Sequence, residues 1–246
     1  MPSPARFELY YWPSIQGRGE FIRLAFEDAG VPYVDVARLP PSKGGVPALL
    51  QLLKGRPGLR LPFAPPFLKV GPLLIAQTAN ILHYLAPRLG LIGQSEPERL
   101  FAHQLQLTVA DVVDEVHETH HPVASGLYYE DQRKEARART AHFLSERMPK
   151  YLRYFERVLA ESPTRRHLVG RAVSYVDFSA FQLLAGLEYA FPHAFSQRSR
   201  LIPGLLALRD RVVRRPGISS YLASARRLPF NEEGIFRHYP ELDERL

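Results

Sequence analysis

The 246-residue chain contains no cysteine. That absence excludes disulfides, cysteine-bound metals and a cysteine nucleophile. No apolar run approaches the ~18 residues that would indicate a membrane span. The opening Met-Pro-Ser-Pro-Ala-Arg-Phe lacks the apolar stretch of a secretory signal, so a cytoplasmic protein without a membrane anchor is expected. Internal repeats and low-complexity tracts are also missing. Hydrophobic residues make up 46% and charged residues 23%, ordinary values for a soluble globular chain.

Acidic charge is in deficit, giving a net +7. Residues 1–88 hold ten Lys and Arg against five Asp and Glu, so most of the excess lies in the first third. A basic first third suits an anionic small ligand. The basic residues are scattered and not interleaved with aromatics as on a stacking platform, so nucleic acid is not an expected partner.

Residues 6–12 read as a strand with Phe7, Leu9 and Tyr11 on one face, closed by Pro13. Residues 18–29 read as a helix stopped by Gly30. A short strand at 33–36 and a short helix at 46–54 follow. Strands near 67–70 and 73–75 flank the turn pair Gly71-Pro72, and a helix spans 77–88. The order β-α-β-α-β-β-α predicts a small α/β domain over residues 1–88. Residues 89–98 read as a linker, and residues 99–246 as an all-helical domain. Within it, 98–120 is one long amphipathic segment. Leu144, Met148, Leu152, Phe155 and Leu159 recur at helical spacing. Ser174-Tyr-Val-Asp177 is a capping box that opens another helix, and a further one covers 203–214.

Residues 66–85 carry the most chemical information. Pro66-Phe-Leu68-Lys-Val-Gly71 enters a strand, and a proline there is a candidate cis-proline that would fix a backbone edge. Gln77-Thr78 then opens a helix. Polar side chains beside the unpaired N–H groups of a helix start make a seat for a carboxylate. Together these features predict a site for a small acidic peptide.

In order and spacing, four marks resemble the cytosolic glutathione S-transferases of the tyrosine type: Tyr11-Trp12-Pro13 followed by Gly17-Arg18; Pro66-x-Leu68-x-x-Gly71; Gln77-Thr78-Ala-Asn-Ile-Leu; and Gly170-x-x-x-Ser174-x-x-Asp177. The resemblance covers nearly the whole chain. It implies an N-terminal thioredoxin-like domain (α/β) and a C-terminal all-α helical bundle. It also implies glutathione as cosubstrate, no metal, a small hydrophobic electrophile as second substrate, and a homodimer. The activity implied is conjugation of electrophiles, or glutathione-dependent isomerisation or peroxide reduction. The alternative is a non-catalytic glutathione-binding or protein-interaction module of the same fold.

Carried over residue by residue, Tyr11 would donate its hydroxyl to the glutathione sulfur, with Ser14 as the less favoured candidate. Arg18 would stabilise the thiolate or a carboxylate. Gln77 and Thr78 would hold the γ-glutamyl carboxylate, and Asp111, or Asp114 one turn away, would reach the γ-glutamyl amine across a dimer. Lys54 and Arg56 are candidates for the family's lysine. The chain departs from the family in two places. Tyr11 lies seven residues before Arg18, one more than in the alpha and pi pattern. Where the family has Gln-x-Pro, this chain has Ala64-Pro65-Pro66, and Pro65 has no N–H to give. Glutathione would then keep only the carbonyl half of its main-chain clamp there. Tyr128, Tyr129, Phe230 and Phe236 are candidates for the electrophile pocket, although packing is the commoner role for such residues. His117, His120 and His121 share a helix face, but without the glutamate-bearing pattern of a zinc peptidase they read as structural or solvent-facing.

Overall fold

The computed structural model describes residues 7–243. Four strands form one sheet: β1 (Phe7–Tyr10), β2 (Tyr33–Asp35), β3 (Phe67–Val70) and β4 (Leu73–Ala76). Their order is β2-β1-β3-β4, with β1 and β2 parallel and the other pairs antiparallel. Ten α-helices are described. They are α1 (Gly19–Ala29), α2 (Gly45–Leu53), α3 (Thr78–Leu85), α4 (Glu96–Glu118), α5 (Arg133–His142), α6 (Met148–Glu161), α7 (Tyr175–Ala190), α8 (Pro192–Arg198), α9 (Pro203–Val213) and α10 (Pro216–Leu222). The architecture is a thioredoxin-like α/β unit and a helical unit. None of these helices is long and apolar enough to cross a membrane.

The chain divides into two compact units. The first holds residues up to Leu91 together with Arg215–Leu228, so α10 groups with the sheet. The second holds residues 92–214 and 229–246.

In the first unit, β1 is shorter than its apolar pattern predicts. It ends at Tyr10, and Arg6 lies outside the described residues. Tyr10 pairs with Phe67, so the next ladder position would face Pro66, which has no N–H to contribute. Tyr11 therefore leaves the strand. Tyr10 points the other way and stacks on Phe67 within the core under α2. Helix α1 ends as expected, with Gly30 in the left-handed conformation at φ 62°. Helix α3 is shorter than the 77–88 predicted. Gln77 stands outside it as N-cap, and the helix closes at Ala86, just before Pro87.

In the second unit, α4 buries Ala102, Leu105, Val109, Val112, Val113 and Val116, the i, i+3, i+4 stripe of an amphipathic helix. The face Leu144-Met148-Leu152-Phe155-Leu159 is buried throughout. Five residues of π-helix, Phe143–Arg147, join α5 to α6 within that stretch. Periodicity alone does not reveal this widening, since Leu144 and Met148 keep an i, i+4 relation in either geometry.

Helix α7 is fixed at its start by its capping box. Asp177 is fully buried and accepts from the Ser174 N–H (2.7 Å) and the Leu168 N–H (2.8 Å). Replacing Asp177 by Ala orphans two buried donors. A loss of about 2–4 kcal/mol is expected in urea denaturation, with Asp177→Asn, which keeps one acceptor, losing less.

Candidate functional site

The sheet register gathers the candidates of the first unit. Tyr10, Phe67 and Ala76 lie in one row across β1, β3 and β4. Tyr11, Pro66 and Gln77, each one residue beyond that row, therefore share one end of the sheet. The peptide bond between Pro65 and Pro66 is cis. Pro66 is buried and Pro65 half-buried.

Two helix starts meet at the same end. Arg18 is the N-cap of α1 and Gln77 the N-cap of α3. The Thr78 hydroxyl donates to the Arg18 carbonyl at 3.4 Å, linking the two. Converging helix N-termini supply unpaired N–H groups and positive potential, which favour an anion. Gln77 has φ 70° and ψ 123°, a conformation a side-chain-bearing residue adopts at a cost of about 1–3 kcal/mol. Its side chain is exposed beside that helix start.

Tyr11 is only 4% exposed. Its hydroxyl accepts the Arg18 backbone N–H at 2.9 Å, and no described residue takes the hydroxyl's own proton. Burial raises its pKa above the ordinary value, outweighing the Arg18 hydrogen bond and the Arg18 and Arg23 charges that pull it down. At neutral pH Tyr11 is thus a phenol with a proton to donate. The ring sits against bare backbone. A Cβ on Gly17 would lie 2.1 Å from the Tyr11 oxygen, and one on Gly19 2.7 Å from the ring. Gly17 also has φ +48°. Ser14, the other candidate, is exposed.

The loop that carries Tyr11 is braced by residues the sequence reading did not single out. Glu20 and Arg23 on α1 are fully buried and 3.1 Å apart. Arg23 also bonds Asp35 (2.7 Å) and the Gln16 carbonyl (3.2 Å). Glu20 accepts from Tyr221 (2.7 Å) and Arg227 (2.5 Å). The Gln16 amide donates to the Leu228 carbonyl at 2.5 Å. Two more pairs, Arg215 with Asp28 and Arg226 with Glu27, line the same helix, and Gly217 packs on the Glu27 backbone. A signal was present in the sequence: Glu20 and Arg23 stand at i, i+3 within an apolar helix, where an unpaired charge would be costly.

Lys54 and Arg56 are exposed around the end of α2. Asp111 and Asp114 are exposed on α4 in the second unit. Tyr129 is buried and stacks on Tyr239 at 3.9 Å, whereas Tyr128 is exposed. Phe236 is buried against Gly186, and Phe230 stacks on Tyr189 at 4.9 Å. His117, His120 and His121 gather at the end of α4.

Burial raises the Glu20 pKa, but the charges of Arg227 and Arg23 and the Tyr221 hydrogen bond outweigh it and hold it below the ordinary value. A carboxyl depressed in the native state adds stability above its unfolded pKa, and that stability is lost as pH falls through the native value. Arg227→Met should therefore cost about 3 kcal/mol at pH 7, because it removes one partner of a buried charge. The gap to wild type should shrink as urea melts are repeated from about pH 5 downward.

A family profile described as "Glutathione S-transferase, C-terminal domain" matches residues 117–225. The chain is 26% identical to a glutathione S-transferase of Plasmodium falciparum over 224 residues, 88% of this chain and 94% of that protein. It is 30% identical to glutathione S-transferase alpha-3 of Rattus norvegicus over 169 residues, 68% and 70% of the two chains. Among solved structures, the pi-class glutathione S-transferase of Onchocerca volvulus superposes with a TM-score of 0.70 at 23% identity, covering 93% of this chain and 98% of that one. Prostaglandin synthase D of Nilaparvata lugens gives 0.68 at 20% identity, covering 91% and 100%. These structural likenesses establish the fold.

Proposed function

The chain belongs to the glutathione S-transferase family, and from that premise we propose that it activates the glutathione thiol for attack on small hydrophobic electrophiles. The observation that carries this reading is the Tyr11 hydroxyl: buried, accepting a backbone N–H, and left with its own proton to give. A free thiol has a pKa near ~8.5, so only a few per cent is ionised at neutral pH. A hydroxyl donor aimed at sulfur favours the thiolate, and each unit of depression is worth about 1.4 kcal/mol. The thiol proton leaves to solvent. The thiolate then forms a carbon–sulfur bond, and either a leaving group departs or the resulting carbanion is protonated.

In this reading Gln77 and Thr78 receive the γ-glutamyl carboxylate at the start of α3. The Pro65 carbonyl meets the cysteinyl backbone as acceptor only. Arg18 adds positive charge near the sulfur, Lys54 or Arg56 offers a cation to a peripheral carboxylate, and Asp111 approaches the γ-glutamyl amine from the second subunit of a homodimer. The setting proposed is cytoplasmic and the role detoxification.

A second reading rests on one observation. Ala64-Pro65-Pro66 lacks both the glutamine side chain and the N–H of the family's clamp, which favours a non-catalytic glutathione-binding or protein-interaction module of the same fold.

Tyr11→Phe separates the two. An enzyme is expected to lose on the order of tenfold to a hundredfold in turnover with glutathione affinity nearly unchanged. Unchanged turnover would remove Tyr11 from the mechanism and promote Ser14. No turnover in the wild type with a broad panel of electrophiles would favour the binding module.

A further inference from the structure

We propose that His117, His120 and His121 form a three-imidazole seat for a late first-row divalent ion, zinc foremost, in the helical unit and independent of the Tyr11 chemistry. The three lie at i, i+3 and i+4 where α4 ends. The His120 and His121 N–H groups both reach the His117 carbonyl (3.3 and 3.1 Å), so the helical turn continues and keeps the rings on one side. Ring centroids are 4.7–5.1 Å apart. One ring nitrogen from each residue lies within 4.8 Å of the others.

The tautomers are what turn a cluster into a seat. His120 Nε2 is 2.8 Å from the Ile235 carbonyl oxygen. A carbonyl only accepts, so Nε2 carries the proton and Nδ1 presents a bare lone pair. Nδ1 is aimed at His121 Nδ1, 2.5 Å away. A metal-binding histidine commonly gives its other N–H to a backbone carbonyl in this way, which fixes the ring and its tautomer. Neutral imidazoles are ligands, whereas protonated ones are not.

Without metal, a His121 Nδ1 proton bridges the two nitrogens. With metal, the cation replaces it and His121 carries its proton on Nε2, so no net proton is released. Zn–N bonds of ~2.0–2.1 Å at tetrahedral angles put ligand nitrogens about 3.3 Å apart. Small side-chain rotations reach that from the present spacings. A cavity of about 530 Å³ opens beside His121, lined among others by Tyr128, Glu130, Glu233 and Arg237. It gives the ion a way in and leaves a fourth position for water. Three imidazoles and a water suit zinc, copper, nickel or cobalt over calcium or magnesium, which take oxygen ligands. Because His120 also holds the Ile235 carbonyl, an ion there would fasten the end of α4 to the segment around residue 235.

The test is a cobalt(II) titration of the chelator-treated full chain, carrying no added histidine tag. One cobalt per chain with the visible bands of tetrahedral nitrogen coordination is expected, displaced by one equivalent of zinc. His117→Asn/His121→Asn spares the buried His120. This double variant should fold by circular dichroism, keep its glutathione-dependent activity, and bind cobalt roughly a hundredfold more weakly or not at all. Absence of the bands in wild type, or equal bands and affinity in the double variant, would overturn the seat, the second result placing the ion at other histidines.

Discussion

The buried carboxylate of Glu20 ties the first unit together. A charge with no exposed surface is tolerated only where opposite charge and hydrogen bonds replace water, and Arg23, Arg227 and Tyr221 supply them. Two of those partners come from a segment about two hundred residues away in sequence, which returns to lie along α1. The return is therefore part of the sheet unit's own stability. Through Gln16 and the start of α1 it also braces the loop on which Tyr11 rests. The hydroxyl that would meet sulfur accepts the Arg18 N–H, and Gly17 and Gly19 on either side of Arg18 leave no room for a Cβ against the Tyr11 oxygen and ring. Positioning of this kind matters because a donor contributes to rate only if it is already aimed when charge develops.

Some of the basic residues are engaged in ion pairs within this unit. Arg23, Arg38 and Lys69 are paired with acidic groups, and so are Arg215, Arg226 and Arg227. The composition alone pointed to an anionic ligand for the first third of the chain. The convergent starts of α1 and α3 add a local positive field at one end of the sheet. Exposed Lys43, Lys54, Arg56, Arg60 and Arg88 add positive charge to the rest of that unit's surface.

What the sequence revealed follows from how local each rule is. Helix α1 with its Gly30 stop, the β3–β4 hairpin around Gly71-Pro72, and the Ser174–Asp177 box could be read because each is set by residues within a few positions. The end of β1 was misjudged because apolar alternation runs on through Tyr11, while the cause of termination, Pro66, lies on another strand. The left-handed φ of Gln77 was not legible, since nothing in its own residue type requires it. The brace between Glu20 and Arg227 joins positions 207 apart, and no sequence window spans them. In the candidate site, Tyr11, Pro66, Gln77 and Thr78 could be named from motif spacing. The glycines that seat Tyr11 and the ion pairs that hold its loop required the fold.

The central claim is that the Tyr11 seat turns bound glutathione into a thiolate. Its most direct test is the ultraviolet absorbance of the thiolate on the enzyme, followed against pH with saturating glutathione. The account predicts a midpoint well below that of free glutathione, each unit of displacement being about 1.4 kcal/mol of stabilisation, and a return toward the free value in Tyr11→Phe. Tight binding with an unshifted midpoint would contradict it.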